Sequence, residues 1–259
     1  GNGQTAATGR LIRKIEEKCL RDCAMIMASS PEVAEALESQ YSLSKVLSLY
    51  NTPPVTPIKS SRLPGFNIYW RNAVIGFGDR GLGDAFEAMT RLPQDIHLHL
   101  QGRPGVDGGA GIQREIVSRG LTGRVTIHPP YRPEEAVDQA ARFQVGVCLE
   151  HRCHRNHELT VSNKIFDYHM AGLAIVTSDL PGLRHVIDSS RGGLPFEAGN
   201  VDDLTRQLRL LYDRPELLEE KSRNAREYAV TVGNLEHEMK TFTGEFARRV
   251  IARVGTSGS

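Results

Sequence analysis

The chain is predicted to be an α/β protein with a Rossmann-like parallel sheet covered by helices on both faces. Three observations predict it. Short, continuous apolar runs recur from Phe66 to Phe196. Stretches of helical periodicity lie between them. Gly-rich or polar turns join the two kinds of segment. A strand that is apolar on both sides suits a sheet buried on both faces, and strands alternating with helices suit parallel pairing.

The elements follow in order. Leu11–Arg21 places Ile12, Ile15 and Cys19 on one helical face. Cys23–Ala28 is a short apolar run, a candidate buried strand. Ser29-Ser30-Pro31-Glu32 predicts a helix start, with a serine cap and proline at the first helical position. Val33, Ala36 and Leu37 supply that helix's buried stripe, and Lys45–Leu49 reads as another strand. Asn51–Gly65, rich in proline and polar residues, reads as a linker and a domain boundary. Beyond it, strands are predicted at Phe66–Trp70, Ile96–Gln101, Arg124–His128, Gln144–Leu149, Ala174–Thr177 and Gly193–Phe196. Helices fall at Leu82–Leu92, Gly111–Arg119, Pro133–Ala141, Asn163–Ala171 and Gly182–Asp188. The tail is helical: Leu204, Leu208, Leu211 and Tyr212 share one face, and Leu235, Met239, Phe242, Phe246 and Val250 form a longer stripe.

Composition narrows the function. The 259 residues are 39% hydrophobic and 24% charged, ordinary for a globular protein. Lys and Arg number 32 against 31 Asp and Glu, a net charge of +1. That balance argues against a nucleic-acid surface, so any anion site must be local. Cys19, Cys23, Cys148 and Cys153 form no CxxC pair, and reduced thiols in a cytoplasmic protein are the simplest reading. No apolar run reaches membrane-spanning length and no signal-peptide pattern opens the chain, which leaves room for peripheral membrane contact. Gly1–Gly9 and Gly255–Ser259 are small and polar and read as frayed or added ends.

Ligands of such a sheet bind beyond the carboxyl ends of its strands. Gly76-Phe77-Gly78-Asp79-Arg80-Gly81 fits G-x-G-x-x-G after a strand and before a helix. Gly76, Gly78 and Gly81 let backbone approach a phosphate, and the helix start attracts the anion. A tight packing turn is the alternative. A dinucleotide site wants an acid about 20 positions on. Here the second strand ends Gln101-Gly102-Arg103 with no acid, although Arg103 suits an NADP 2′-phosphate.

A second candidate spans Ser162-Asn163-Lys164-Ile165-Phe166-Asp167-Tyr168. Ser162 is a candidate cap. Lys164 lies where the helix dipole is positive, a cost that makes sense if an anion binds there. Asp167, three residues on, shares its face and suits ribose hydroxyls. The alternative is a plain Lys–Asp surface pair. Ser178-Asp179-Leu180-Pro181-Gly182-Leu183 is a third strand-to-helix turn, suited to a sugar or phosphate or to simple capping. Cys148, His151, Cys153, His154 and His157 carry zinc-ligand chemistry but no regular zinc spacing, so no metal site is assigned.

The stretch from Asn163 through Tyr168, then Ala171-Gly172-Leu173-Ala174-Ile175-Val176-Thr177-Ser178-Asp179-Leu180-Pro181-Gly182-Leu183-Arg184, resembles the signature of group 1 glycosyltransferases (family 4 type, GT-B fold). Gly192–Asn200, Val201–Tyr212 and Pro215–Tyr228 continue the resemblance, and Ala28-Ser29-Ser30 resembles the end of that family's first domain. The resemblance implies a sugar transfer from a nucleoside diphosphate to an acceptor hydroxyl, without a cofactor or metal. It divides the chain into 1–64, a remnant of a truncated N-terminal domain plus linker; 65–232, the donor-binding domain; and 233–259, a crossover helix and tail. Arg80-Gly81 matches the family's diphosphate-contacting Lys-Gly. Asp167 matches the second glutamate of E-x7-E, which contacts ribose. Leu180, Pro181 and Gly182 match the loop near the donor sugar, and Pro129–Arg132, with Tyr131, lies where the nucleobase is held.

The sequence also departs from the family. The first glutamate of E-x7-E falls on Leu159, with Glu158 one position off, and Ile75 stands at the expected arginine spacing, for which Arg71 is the substitute if the loop is longer. Arg80 and Lys164 are expected to stabilise the leaving diphosphate. Arg71, Gly76, Gly78, Gly81, Gly102, Tyr131, Asn163, Asp167, Leu180, Pro181 and Gly182 are expected to bind the donor. The acceptor is unassigned, with a glycan or lipid-linked glycan in polysaccharide assembly suggested by association. The Leu235–Val250 stripe suggests a dimer. A non-catalytic nucleotide-binding partner and a sugar-nucleotide epimerase are the competing readings.

Overall fold

The structure is a computed structural model, and it describes residues 2–251 apart from Asp79, Val106 and His154, with side chains from residue 8 onward. Asp79 of the glycine loop, His154 of the His/Cys cluster and the Gly255–Ser259 tail lie outside the described residues. The chain divides into two compact units. One comprises the residues up to Tyr50 together with those from Glu238, and the other is Asn51–His237. No helix among the described residues is long and apolar enough to cross a membrane.

The smaller unit holds α1 (Asn2–Cys19), β1 (Met27–Ala28), α2 (Pro31–Tyr41) and β2 (Leu47–Ser48). α2 starts as predicted: Ser30 Oγ accepts from Val33 N at 3.1 Å and Pro31 takes the first helical position. The predicted strands Cys23–Ala28 and Lys45–Leu49 shrink to one short parallel rung. Leu47 N to Ile26 O and Leu49 N to Ala28 O flank that rung, and a 3-10 turn at Leu20–Asp22 precedes it. The predicted helix through Leu11 forms, yet Leu11, Ile12 and Ile15 are exposed.

The larger unit is the expected Rossmann-like layer structure. Its strands are β3 (Phe66–Ile75), β4 (Ile96–Pro104), β5 (Val125–His128), β6 (Val145–Cys148), β7 (Ala174–Ser178) and β8 (Gly193–Phe196). All pair in parallel, in the order β5-β4-β3-β6-β7-β8. The chain walks outward from β3 to β5, then returns to lay β6 on the other side of β3. The carboxyl ends of β3 and β6 therefore diverge into a crevice, the place where such sheets bind ligands.

Between the strands run α3 (Leu82–Arg91), α4 (Ala110–Ser118), α5 (Ala136–Ala140), α6 (Arg155–Leu159), α7 (Lys164–Met170) and α8 (Pro181–Ser190). α9 (Val201–Asp213), α10 (Pro215–Thr231) and α11 (Leu235–Phe246) follow. On one face, Phe86 and Met89 of α3, Ile112 and Ile116 of α4 and Leu204, Leu208 and Leu211 of α9 pack on Ile68, Trp70, Leu98, Leu100 and Val147. On the other, Tyr69 stacks on Phe143 at 4.5 Å and meets Tyr168 of α7 edge-on at 5.6 Å. Arg124, just before β5, closes the end of α3: its guanidinium donates to Met89 O at 2.8 Å and Pro93 O at 2.7 Å. The Met89 carbonyl is one that the helix end leaves unsatisfied, and Pro93 lies just beyond it.

Other predicted boundaries shift for local reasons. Pro133–Ala141 splits into a 3-10 turn (Pro133–Glu135) and the short α5. The polar loop after β6 contains the five-residue α6, which was not expected. In the tail stripe, α11 ends at Phe246 and Val250 lies in a π turn, with Leu235 and Met239 exposed. β3 runs on past Trp70 to Ile75 because its pairing with β4 resumes after a break between Arg71 and Val74. That bulge explains Gly102, since a Cβ there would collide with Asn72 O.

Candidate functional site

The crevice is a cleft of about 680 Å³. Arg71 and Asn72 reach it from the bulged end of β3, and Gln101, Gly102 and Arg103 from β4. Pro130, Tyr131 and Pro133 come from the loop after β5. Arg80 comes from the glycine loop, and Ser162, Asn163 and Lys164 from the start of α7. Of the predicted residues, Arg71, Arg80, Gly102, Tyr131, Asn163 and Lys164 thus meet at one site. Gly76, Gly78, Gly81, Asp167, Leu180, Pro181 and Gly182 are not in its wall.

The glycine loop divides by role. A Cβ on Gly76 or Gly78 would meet nothing within 4 Å. Gly81 caps α3 in the left-handed region at φ 69°, and a Cβ there would strike Leu149 O and Cβ. Gly81 is therefore demanded by the packing of α3 on the end of β6. Trp70 Nε1 donates to Arg80 O at 3.1 Å and pins the turn from below. Gly81→Ala is expected to destabilise the chain by about 2–4 kcal/mol, from left-handed strain plus overpacking. Gly78→Ala should lie within about 0.5 kcal/mol of wild type. Thermal melts of the two variants check this, and equal melting temperatures would refute the packing role.

At the start of α7, spacing placed Lys164 and Asp167 on one face. The structure gives each a different partner, and the alternative Lys–Asp surface pair does not form. Lys164 Nζ donates to Glu150 Oε1 at 2.7 Å, with the two side chains only 6% and 3% exposed. Arg80 Nη1 lies 3.5 Å from the same oxygen. Burial alone would raise the Glu150 carboxyl, but the Lys164 ammonium, its hydrogen bond and the Arg80 charge outweigh burial and hold it below the usual range. Asp167 pairs with the Arg71 guanidinium, which also donates to Tyr131 Oη. Burial pushes the Asp167 carboxyl up, and Arg71 opposes that shift. Burial would lower the Arg71 guanidinium, but the charge of Asp167 more than offsets it and raises it. The Arg71 backbone N–H donates to Tyr168 Oη at 3.2 Å, which ties this pair to α7.

Ser162 does not cap the helix with its side chain. Asn163 already has helical backbone angles (φ −53°, ψ −28°), and the first-turn N–H groups of Ile165 and Phe166 bond to the Ser162 and Asn163 carbonyls. In the third predicted turn, Leu180 is fully buried, Pro181 opens α8, and a Cβ on Gly182 would come 2.7 Å from Leu159 O. Close packing of α8 against the end of α6 accounts for that glycine.

The His/Cys residues separate. Cys148 is buried, His151 Nε2 meets Asp84 Oδ2 at 2.6 Å, and Cys153 Sγ meets His157 Nδ1 at 3.5 Å. Among the described residues no three His, Cys, Asp or Glu side chains converge on a metal position.

Sequence reasoning passed over Glu150. The signal was present: one charge directly after the apolar strand residues Val145–Leu149 must find a partner or stay out of the core.

Residues 78–214 match the family described as glycosyl transferases group 1. A search of curated protein sequences found no match. Solved structures with the same fold include Anabaena HepE in complex with UDP and glucose (12% identity, TM-score 0.77, 92% of this chain and 66% of that one). A variant of S. aureus TarM in complex with Fondaparinux, alpha-GlcNAc-glycerol and UDP matches at 12% identity and TM-score 0.74, over 90% of this chain and 46% of that one. Sucrose-phosphate synthase from Thermosynechococcus elongatus matches at 17% identity and TM-score 0.70, over 93% and 61%. The chain thus spans between 46% and 66% of the length of these relatives.

Proposed function

Because this chain belongs to the group 1 glycosyl transferases, we propose that it supplies the donor-binding half of an enzyme that moves a sugar from a nucleoside diphosphate to an acceptor hydroxyl. One observation carries the reading: Arg71, Arg80, Arg103 and Lys164 line a single cleft whose wall, among the described residues, holds no carboxylate. A chain with a net charge of +1 has concentrated its positive groups at the edge where its sheet binds ligands.

The chemistry follows from that charge. Loss of a diphosphate leaving group is the hard step of the transfer. Cations that bind it best as its charge develops lower the barrier. Lys164 and Arg80, which share Glu150, stand at the diphosphate end. Tyr131 and the prolines beside it present a flat apolar wall suited to a nucleobase. Asp167 is reserved for ribose hydroxyls, which reach it when the Arg71 side chain swings aside; Arg71 then turns its charge toward the phosphates. The transfer proposed here uses the nucleoside-diphosphate sugar as substrate and no bound cofactor. The acceptor is a hydroxyl of a glycan or a lipid-linked glycan.

The test is a binding measurement, because the chain is shorter than its structural relatives. UDP, GDP, ADP and their common sugar conjugates are titrated calorimetrically into the folded chain. HepE and TarM were solved with UDP, which makes it the first ligand to try. One diphosphate is expected to bind selectively, and Lys164→Ala and Asp167→Ala are each expected to weaken it at least tenfold. A folded chain that binds none of them would overturn the reading.

A further inference from the structure

We propose that Glu150 is a positioning residue of the cleft: its buried carboxylate keeps Lys164 charged and aims Lys164 and Arg80 together at the anion. The inference rests on the donor-cleft reading for what the two cations do, but not for Glu150's hold on Lys164.

Glu150 lies two residues beyond the end of β6 and is not among the residues that line the cleft. One oxygen, Oε1, serves both cations, at 2.7 Å to Lys164 and 3.5 Å to Arg80. The other, Oε2, is buried and has no hydrogen-bond partner among the described residues. A buried carboxylate with an unmade bond is a poor way to stabilise a fold, and apolar residues of the same volume generally do as well or better. The strand before it is wholly apolar and would accept one. What Glu150 supplies is its effect on its partners.

Lys164 needs that effect. Its ammonium is nearly as buried as Glu150. Cys148 of β6 also lies within its electrostatic reach, and the face of the Trp70 ring, 6.0 Å away, offers only a weak attraction to a cation. A buried ammonium without a counter-charge gives up its proton readily, and a neutral amine holds an anion poorly. Arg80 is the more exposed partner, and the shared oxygen tethers its guanidinium beside Lys164.

A purely structural ion pair predicts the opposite sign. Glu150 is a negative charge close to an anion site, so if it only neutralises Lys164, removing it should tighten anion binding. If it keeps Lys164 charged, removing it should weaken binding, and more so as the pH rises.

The experiment uses inorganic pyrophosphate and the full chain, comparing wild type, Glu150→Gln and Glu150→Asp from pH 6 to 9. Affinities are read as the ratio of variant to wild type at each pH, so that the probe's own ionisation cancels. Glu150→Gln is expected to bind at least tenfold more weakly at pH 9 and to approach wild type at pH 6. Glu150→Asp, which keeps the charge on a shorter arm, should fall between and stay flat with pH. In parallel, acetic anhydride labelling of Lys164 is followed by peptide mass spectrometry. It should be at least tenfold faster at pH 8 in Glu150→Gln and little changed in Glu150→Asp, whose folding is the control. Equal or tighter pyrophosphate binding by Glu150→Gln, or a Lys164 labelling rate that does not move, overturns the proposal. If wild type binds no pyrophosphate while Lys164 labelling moves as expected, the donor-cleft reading fails and Glu150's hold on Lys164 stands.

Discussion

Lys164→Ala is expected to destabilise the folded chain by about 3–5 kcal/mol, the effect of stripping one partner from a buried ion pair. The loss does not measure the net worth of the Lys164–Glu150 pair. It reflects a carboxylate left in the interior with only Arg80, at 3.5 Å, to answer it. Two consequences separate this account from simple loss of contact. The double variant Lys164→Met/Glu150→Leu, which removes both charges and fills the space, should be more stable than Lys164→Ala alone. The cost of Lys164→Ala should also shrink in acid. The folded-state Glu150 carboxyl lies below its ordinary value. Its contribution is therefore present above the unfolded value and lost as the pH falls through the folded one. Urea titrations at pH 7.5 and 4 measure both. A loss under about 1 kcal/mol at pH 7.5 would place the pair in the surface class and remove its physical basis.

Acid itself is expected to produce the second large effect, through histidines held neutral in the interior. Asn67 Nδ2 donates to Pro64 O and Gln144 Oε1, so Asn67 Oδ1 is left to accept from His99 Nε2 at 2.9 Å. His99 Nδ1 must then accept from His128 Nε2, also at 2.9 Å. A proton added to His99 would set donor against donor inside the sheet. Burial, with His128 beside it, pushes His99 down to about 4, and burial pushes His169 down to about 3. Both folded values lie below the unfolded one, so the neutral forms stabilise the fold above about pH 6.5. That stability is lost as the pH falls through the window down to 4 and then 3. Together the two groups should remove several kcal/mol between about pH 6.5 and 3.5. The urea midpoint should be level above about pH 7 and fall steadily below 6. His169→Gln, which can keep a bond to the hydroxyl of Ser190, should flatten part of the slope. A midpoint unchanged from pH 7 to 4 would refute the account.

Much of the fold was legible because it depends on local pattern. The central strands β6 and β7 announce themselves as short apolar runs, as strands buried on both sides do, while β4 and β5 alternate apolar with polar residues. Pro31 behind Ser30 marks a helix start because both act within one turn. The G-x-G-x-x-G loop was legible as a turn, but its glycines were not equivalent in use. A left-handed backbone and the contact with Leu149, just beyond β6, separate Gly81 from Gly78. The bulge that lengthens β3 was hidden because it exists only in register with Gly102 of β4.

The cleft divides along the same line. The sequence alone determined the parallel α/β layers, the crevice at the carboxyl ends of the strands, and the presence there of Arg80, Tyr131, Asn163 and Lys164 on the loops that follow those strands. These depend on short-range periodicity and on chain order, both written along the chain. Tertiary structure alone decided which charges meet. Spacing suggested Lys164 with Asp167, three residues apart on one helix. Strand order instead brings the end of β6 under Lys164 and the end of β3 beside Asp167, so the pairs are Lys164 with Glu150 and Asp167 with Arg71. A buried charge must take the nearest opposite charge that packing supplies, and packing is a property of the assembled sheet.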